Sequence, residues 1–256
     1  MNDGLPSKQP MNNWRRDLSV LDEKQIKKAF TSVVIPAAGQ GSRMNAPINK
    51  QYLTLRGKPI LSYTLEVFEK CPLIDEIILV INKDEFKICK HQVLGPGKFK
   101  KVRITQGGAT RQQSVYEGLK AVSPACDIVM IHDGARPLIS EEILVRCIYE
   151  TIQSQATIVA VPAKNTIKVV KKAGIVEYTP NRDFLYEVQT PQTFSYPLIM
   201  DAHERAIEDE VEGTDDASLV ERLCVPVKIV RGHYNNIKIT TPEDLIIAES
   251  IIAVSR

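Results

Sequence analysis

Two cations close to a pair of glycines are the first residues in this sequence that could do chemistry. The stretch Pro36-Ala37-Ala38-Gly39-Gln40-Gly41-Ser42-Arg43-Met44 follows a β-branched run directly. Small residues at such a point let backbone N–H groups approach a phosphate closely. Arg43, with Lys50 seven residues further on, adds two positive charges suited to several phosphates at once. A solvated basic loop would have the same composition. Neither common phosphate loop is present: Met44 stands where G-x-G-x-x-G requires its third glycine, and no G-x-x-x-x-G-K-[ST] occurs. A second group lies in Ile131-His132-Asp133-Gly134-Ala135-Arg136-Pro137, where a carboxylate and a guanidinium follow an apolar run. Asp133 could bind a metal or a ribose hydroxyl, or simply pair with Arg136 to fix the turn. His132 reads as a core or edge residue, and His91, His203 and His233 are too dispersed for a metal site.

These groups need a frame that brings them together. The runs Ser32 to Ala37, Glu76 to Ile81, Lys101 to Gln106, Ile128 to His132 and Thr157 to Pro162 read as strands. Between them Pro59 to Lys70, Lys83 to His91, Thr110 to Ala121 and Ser140 to Gln155 suit helices. That alternation predicts a doubly wound α/β fold, a mostly parallel sheet with helices on both faces. Ligands of such sheets sit at the carboxyl ends of the strands, which directs attention to the turns after Ala37, Gln106 and His132. Past Pro162 the rhythm breaks. Thr166 to Val170 and Gly174 to Tyr178, joined by Lys171-Lys172-Ala173-Gly174, predict a protruding β-arm within about 163–187. An arm of this kind packs either on a second copy of the chain or on its own domain. The chain returns through Val188 to Phe194, helices at Tyr196 to Asp209 and Asp216 to Cys224, a strand at Pro226 to Arg231 and a last helix at Pro242 to Val254.

Composition narrows the partners. Lys plus Arg number 33 against 31 for Asp plus Glu, a net charge of +2, so no global field holds a nucleic acid or a membrane surface. No apolar run approaches the roughly 18 residues of a membrane span. The five cysteines are scattered and odd in number, which suits a reducing cytoplasm better than a disulfide framework. Residues 1–30 read as a polar extension, frayed to about Leu18 and then a short amphipathic helix to Phe30, with acidic residues unlike a targeting peptide. Residues 31–256 are expected to form one domain.

The order of motifs resembles the 2-C-methyl-D-erythritol 4-phosphate cytidylyltransferases, a family of the nucleotidyltransferase, Rossmann-like fold. The resemblance runs from about Ser32 to Ile252. It rests on Pro36-Ala37-Ala38-Gly39 with Arg43 and Lys50-Gln51-Tyr52, then Gly107-Gly108-Ala109-Thr110-Arg111-Gln112-Gln113-Ser114-Val115 and His132-Asp133-Gly134-Ala135-Arg136-Pro137. Thr190-Pro191-Gln192, Thr214-Asp215-Asp216-Ala217-Ser218 and Asn236-Ile237-Lys238-Ile239-Thr240 follow in the same order.

The resemblance implies an enzyme that transfers CMP from CTP to methylerythritol phosphate and releases pyrophosphate. It implies that Pro36, Ala37, Ala38 and Gly39 lie along the triphosphate, and that Gly108, Ala109 and Ser114 read the cytosine. Arg43, Lys50 and Lys238 would be the catalytic cations, neutralising charge that builds during transfer. Asp133, with Gly134 beside it, would face the ribose and a Mg²⁺ ion, and Arg136 would buttress that turn on the substrate side. Thr214 and Thr240 would lie at the substrate phosphate. The arm would embrace a second subunit in a homodimer and present Thr166 and Arg182 to its substrate. The attacking phosphate monoester is itself anionic, so no nucleophilic side chain is required. Two positions depart from the pattern. Asn49 stands where many members have proline, which predicts a looser loop over Ala46 to Lys50, and Asn235 replaces a frequent aspartate, leaving Asp133 as the one carboxylate for the metal. A ribitol 5-phosphate cytidylyltransferase shares the fold, CTP loop and arm, and a non-catalytic CTP-sensing module would keep the fold alone.

Overall fold

The computed structural model describes residues 29–39, 49–95 and 97–254, with Lys50 placed by its backbone. Arg43 and the expected extension up to residue 28 therefore lie outside the described residues. A seven-stranded sheet forms the centre, in the order β5-β4-β1-β6-β10-β7-β11. Its strands are β1 (Thr31–Pro36), β4 (Glu76–Ile81), β5 (Val102–Gln106), β6 (Ile128–Ile131), β7 (Ala156–Pro162), β10 (Tyr186–Ser195) and β11 (Lys228–Arg231). Only β10 runs against its neighbours β6 and β7; the other pairs are parallel.

The sequence of β4, Glu-Ile-Ile-Leu-Val-Ile, is buried at every position. A parallel strand covered on both faces has no solvent side, so it reads as a continuous apolar run instead of an alternating one. Successive residues of each central strand feed opposite cores. Val33, Ile35, Ile77 and Leu79 pack with Leu61, Leu65 and Phe68 of α1 (Ile60–Lys70) and with Leu144 and Ile148 of α3 (Glu141–Ser154). Val34, Ile78, Val80 and Val129 pack on the other side with Val115 and Leu119 of α2 (Arg111–Lys120) and with Ile199 and Ala202 of α4 (Tyr196–Glu208). The short α5 (Asp216–Glu221) joins that second layer through Ala217, Leu219 and Val220. The last helix, α6 (Pro242–Val254), packs through Ala248 on a small cluster with Leu55 and Ile60.

Because β1 lies between β4 and β6, the chain leaves β1 for one side of the sheet and crosses it again after β5. The loops at the carboxyl ends of β1 and β6 are thereby forced apart, which opens a crevice at that edge. The helix predicted over Lys83 to His91 is present but irregular: a 3₁₀ turn at Lys83–Glu85 and an α turn at Phe86–Ile88 run on into a π-helical stretch at Cys89–Leu94. Ser62 Oγ donates to the Val93 carbonyl at 3.2 Å, an outside donor for a carbonyl of that last turn. A small hairpin, β2 (Thr54–Leu55) and β3 (Lys58–Pro59), was not foreseen, although Arg56-Gly57, both at positive φ, is the kind of pair that two-residue hairpins use.

The arm is a separate two-stranded ribbon of β8 (Val169–Val170) and β9 (Val176–Tyr178). Its turn closes through Lys171 N–H donating to the Ile175 carbonyl at 2.9 Å, with Gly174 at positive φ.

One contact measures how closely α2 lies on the sheet. A Cβ on Gly118 would sit 2.4 Å from Val34 Cγ1 and 2.9 Å from Val80 Cγ2. Gly118→Val is expected to cost about 1–3 kcal/mol by overpacking, read as a lower urea midpoint. An unchanged midpoint would show that α2 can lift without cost.

Candidate active site

The crevice is walled by the ends of β1, β5 and β6 and by Lys238. Pro36, Ala37, Ala38 and Gly39 form one side of it, as do Gly108, Ala109 and Ser114 on another. Two side-chain amides hold the first segment: Gln51 Nε2 donates to the Ala37 carbonyl at 2.6 Å and Asn82 Nδ2 to that of Ala38 at 2.8 Å. Gly107 brings the second segment against the first, since a Cβ there would lie 2.7 Å from Ala38 Cβ. Ser114 Oγ accepts from Gly108 N–H at 3.2 Å and donates to the Thr110 carbonyl at 2.9 Å. Thr110 in turn caps α2, its hydroxyl accepting from Gln113 N–H while the Gln113 side chain accepts from Thr110 N–H. The Gly108-Ala109 turn is thus tied to the first turn of a helix at both ends.

Asp133 is the electrostatic centre. Its Oδ2 lies 2.9 Å from Lys238 Nζ and 3.5 Å from Arg136 Nε, and its Oδ1 lies 3.7 Å from Arg111 Nε. Burial alone would raise this carboxyl, but the charges of Lys238, Arg111 and Arg136 outweigh it and hold Asp133 well below the ordinary carboxylate range. It is a carboxylate at any pH where the protein works. Arg136 also donates through Nη1 to the Asn236 carbonyl at 2.8 Å, and Ile239 N–H donates to the Ala135 carbonyl at 2.9 Å. The turn after β6 and the segment carrying Lys238 are therefore stitched together, although about a hundred residues separate them in sequence.

Beneath this turn His132 is fully buried. Its Nε2 lies 3.1 Å from the Arg136 carbonyl and can only donate there, so Nδ1, 3.1 Å from Thr190 Oγ1, accepts. Thr190 Oγ1 then spends its proton on His132 and accepts from Asp133 N–H at 3.1 Å. The chain of bonds allows one neutral tautomer, and burial brings the His132 pKa down to about 4.

The structure separates the expected site residues into groups. Pro36, Ala37, Ala38, Gly39, Gly108, Ala109, Ser114, Asp133, Gly134 and Lys238 line one crevice. Arg136 stands behind Asp133. Lys50 begins the turn Lys50–Tyr52, next to Gln51, which lines the crevice, and Arg43 lies outside the described residues. Thr240 is committed elsewhere: its N–H and hydroxyl both donate to Asp244 Oδ2, at 2.7 and 2.9 Å, at the start of α6. Thr214 is exposed before α5, and Thr166 is exposed near the arm. Arg182, also exposed, donates to the Lys164 carbonyl at 3.0 Å. None of these last four belongs to the described wall of the crevice.

Gln51, Arg111 and Thr190 act in the site although sequence reasoning gave them no role. Their signal was present, since each stands inside a motif, but the partners that explain them are distant in sequence. At Asn49 the side-chain amide donates to the Glu85 carboxylate, whose other oxygen lies 3.4 Å from Tyr52 Oη. A hydrogen bond therefore anchors the end of the loop where proline was the pattern. Asn235 is exposed, its N–H donating to His233 Nδ1 at 3.1 Å.

The sequence pattern of the 2-C-methyl-D-erythritol 4-phosphate cytidylyltransferase (IspD) family matches residues 31–254. The chain belongs to this family. A relative of that name from Geobacter metallireducens is 52% identical over 223 residues, covering 86% of this chain and 96% of that protein. Another, from Alkaliphilus oremlandii, is 50% identical over 227 residues, covering 88% and 96%. The solved structure of a 4-diphosphocytidyl-2C-methyl-D-erythritol synthase from Anaerococcus prevotii superposes with a TM-score of 0.81 at 39% identity, covering 91% of this chain and all of that one.

His132 makes the stability of this family member depend on acid. The unfolded chain takes up a proton at an ordinary histidine pKa of about 6.5, whereas folded His132 resists until about 4. Between those values the unfolded state binds more protons, so stability falls as pH is lowered through the window, by up to about 1.4 kcal/mol per pH unit from this group. Urea unfolding at pH 7, 6 and 5 should show a shallower slope for His132→Gln than for the unmodified protein. Parallel slopes would contradict a neutral buried His132.

Proposed function

We propose that Pro36, Ala37, Ala38 and Gly39 lay backbone along the CTP triphosphate, that Gly108, Ala109 and Ser114 read the cytosine edge, and that Lys238 meets the incoming phosphate beside Asp133. The enzyme transfers CMP from CTP to 2-C-methyl-D-erythritol 4-phosphate, giving 4-diphosphocytidyl-2-C-methyl-D-erythritol and pyrophosphate, a step of non-mevalonate isoprenoid precursor synthesis. What carries this reading is the family match over 31–254. The ribitol phosphate and sensor alternatives find no support among these relatives, all of which are named for methylerythritol phosphate.

The chemistry asks little of the protein beyond position and charge. The nucleophile is the substrate's own phosphate, doubly charged above a second pKa of about 6, so attack on the α-phosphorus needs no side-chain nucleophile. Arg43 and Lys50 bind the phosphates on the CTP side and offset the charge that grows on the departing pyrophosphate. Lys238 holds the sugar phosphate beside Asp133. Magnesium is the expected counter-ion. Among the described residues no cluster of three or more His, Cys, Asp or Glu could hold a metal. The donor set nonetheless suits an ion held mainly by triphosphate oxygens and water. Asp133 Oδ2 is taken by Lys238, while Oδ1, 3.7 Å from Arg111 Nε and so outside hydrogen-bonding reach, is the carboxylate oxygen that fits it. Such an ion supplies charge neutralisation on the phosphates.

The arm supports a homodimer. Val170, Ile175, Val176, Tyr178 and Phe184 are all more than half exposed, and a lone two-stranded ribbon is marginal in water. A second copy would cover these side chains and receive Thr166 and Arg182 at its substrate side, where Thr214 and Thr240 would lie beside the substrate phosphate. Among the described residues no helix is long and apolar enough to cross a membrane. The free cysteines support a reducing, cytoplasmic location.

Pyrophosphate release with CTP and Mg²⁺ should be strong with methylerythritol 4-phosphate, weak with ribitol 5-phosphate, and abolished by EDTA. Preference for ribitol phosphate would reassign the substrate, and silence with both would favour the sensor. Lys50→Ala should lower turnover about 100-fold or more with CTP affinity changed only a few-fold, the signature of a transition-state contact. Mixing Lys50→Ala with Arg182→Ala chains should restore part of the activity through one intact shared site; a verified heterodimer without rescue would place Arg182 in its own subunit.

A further inference from the structure

Arg111 occupies an unfavourable place. It is the first residue of α2, where the helix dipole repels a cation, and its side chain is only partly exposed. Two carboxylates hold it there. Nη2 lies 2.8 Å from Asp216 Oδ2, and Nε faces Asp133 Oδ1 at 3.7 Å. Asp216 is itself almost fully buried, at the first turn of α5, where a negative charge is welcome. Behind it His203 of α4, with no exposure at all, places Nε2 3.3 Å from Asp216 Oδ1 and stacks on Tyr116 of α2 at 6.1 Å between ring centroids. Among the described residues neither ring nitrogen of His203 has a hydrogen-bond partner, Nε2 reaching Asp216 only as the 3.3 Å ion-pair-range contact. A buried imidazole without hydrogen bonds is a cost that packing alone does not explain.

These contacts form one row of alternating charge and dipole, His203, Asp216, Arg111, Asp133 and Lys238, running from the interior to the crevice. The division of labour above uses only its last two members. We propose that Asp216, backed by His203, is a positioning residue: it draws the Arg111 fork away from Asp133 and thereby leaves the Asp133 carboxylate free to hold Lys238. The distances carry the argument. Arg111 makes its short contact with Asp216 and only a long one with Asp133, while Lys238 makes the short contact with Asp133. Without the Asp216 charge, the partly buried guanidinium is left with Asp133 and the weaker influence of Asp215, and closes on Asp133, competing with Lys238 and with any cation at Oδ1. The inference rests on the cytidylyltransferase reading of the crevice.

The test uses the full chain, with CTP, Mg²⁺ and methylerythritol 4-phosphate, and compares Asp216→Asn, Arg111→Gln and the double variant. Asp216→Asn is expected to lower kcat/KM for methylerythritol phosphate at least tenfold, while the CTP dissociation constant, measured by calorimetry without the second substrate, moves less than threefold. The double variant should lose no more than Arg111→Gln alone, because Asp216 acts only through Arg111. It also removes both charges together, so it remains informative where Asp216→Asn by itself is too unstable to assay. A kcat/KM within twofold of the unmodified enzyme in Asp216→Asn, or single-variant losses that multiply in the double, would overturn the proposal. An inactive unmodified enzyme would instead overturn the reading of the crevice and the proposal with it.

Discussion

A carboxylate buried among cations organises this molecule. Asp133 is withdrawn from water, and its charge survives because Lys238, Arg136 and Arg111 approach it from three parts of the chain. Two of those cations are then held by something else: Arg136 by the Asn236 carbonyl, Arg111 by Asp216. The requirement to offset one buried charge thus spreads outward and fixes the turn after β6, the segment before α6 and the start of α2 relative to one another. Removing any one partner leaves a poorly solvated charge less well compensated, which is why such networks favour a single geometry.

The sheet decides where that carboxylate stands. Its central strands are buried on both faces, so they tolerate little but branched apolar residues, and the polar groups are pushed to the strand ends. The crossing of the chain from one side of β1 to the other separates the loops after β1 and β6 and leaves space between them. Side-chain amides from Gln51 and Asn82, the neutral His132 with Thr190, and the reciprocal cap of Thr110 with Gln113 then hold the rim of that space. Rigidity at the rim matters for phosphoryl-type transfer because the protein contributes position and charge and no covalent chemistry.

The arm follows a different logic. Its two strands show apolar side chains to solvent and share no ladder with the central sheet. A domain that has packed its own core on two faces has no need of such a ribbon for stability. Arg182 and Thr166, both exposed, flank the ribbon and lie away from the described crevice wall.

Much of this was legible in the order of residues. Apolar runs such as Glu76 to Ile81 announce strands, and small-residue turns such as Pro36 to Gly39 announce the wall of the crevice, because burial and close backbone approach admit few residue types. The π-helical form of Cys89–Leu94 was not legible, because its carbonyl partner, Ser62, lies on a helix earlier in the chain. Nor was the commitment of Thr240 to Asp244, where a local helix cap competes with a ligand for the same hydroxyl. The sequence by itself determined the fold class, the candidate loops and the family, since these depend on periodicity and local chemistry. Only the tertiary structure decided which cation meets which carboxylate. Pairing of buried charges depends on distances across the sheet, such as the 2.9 Å between Lys238 and Asp133, that no local pattern records.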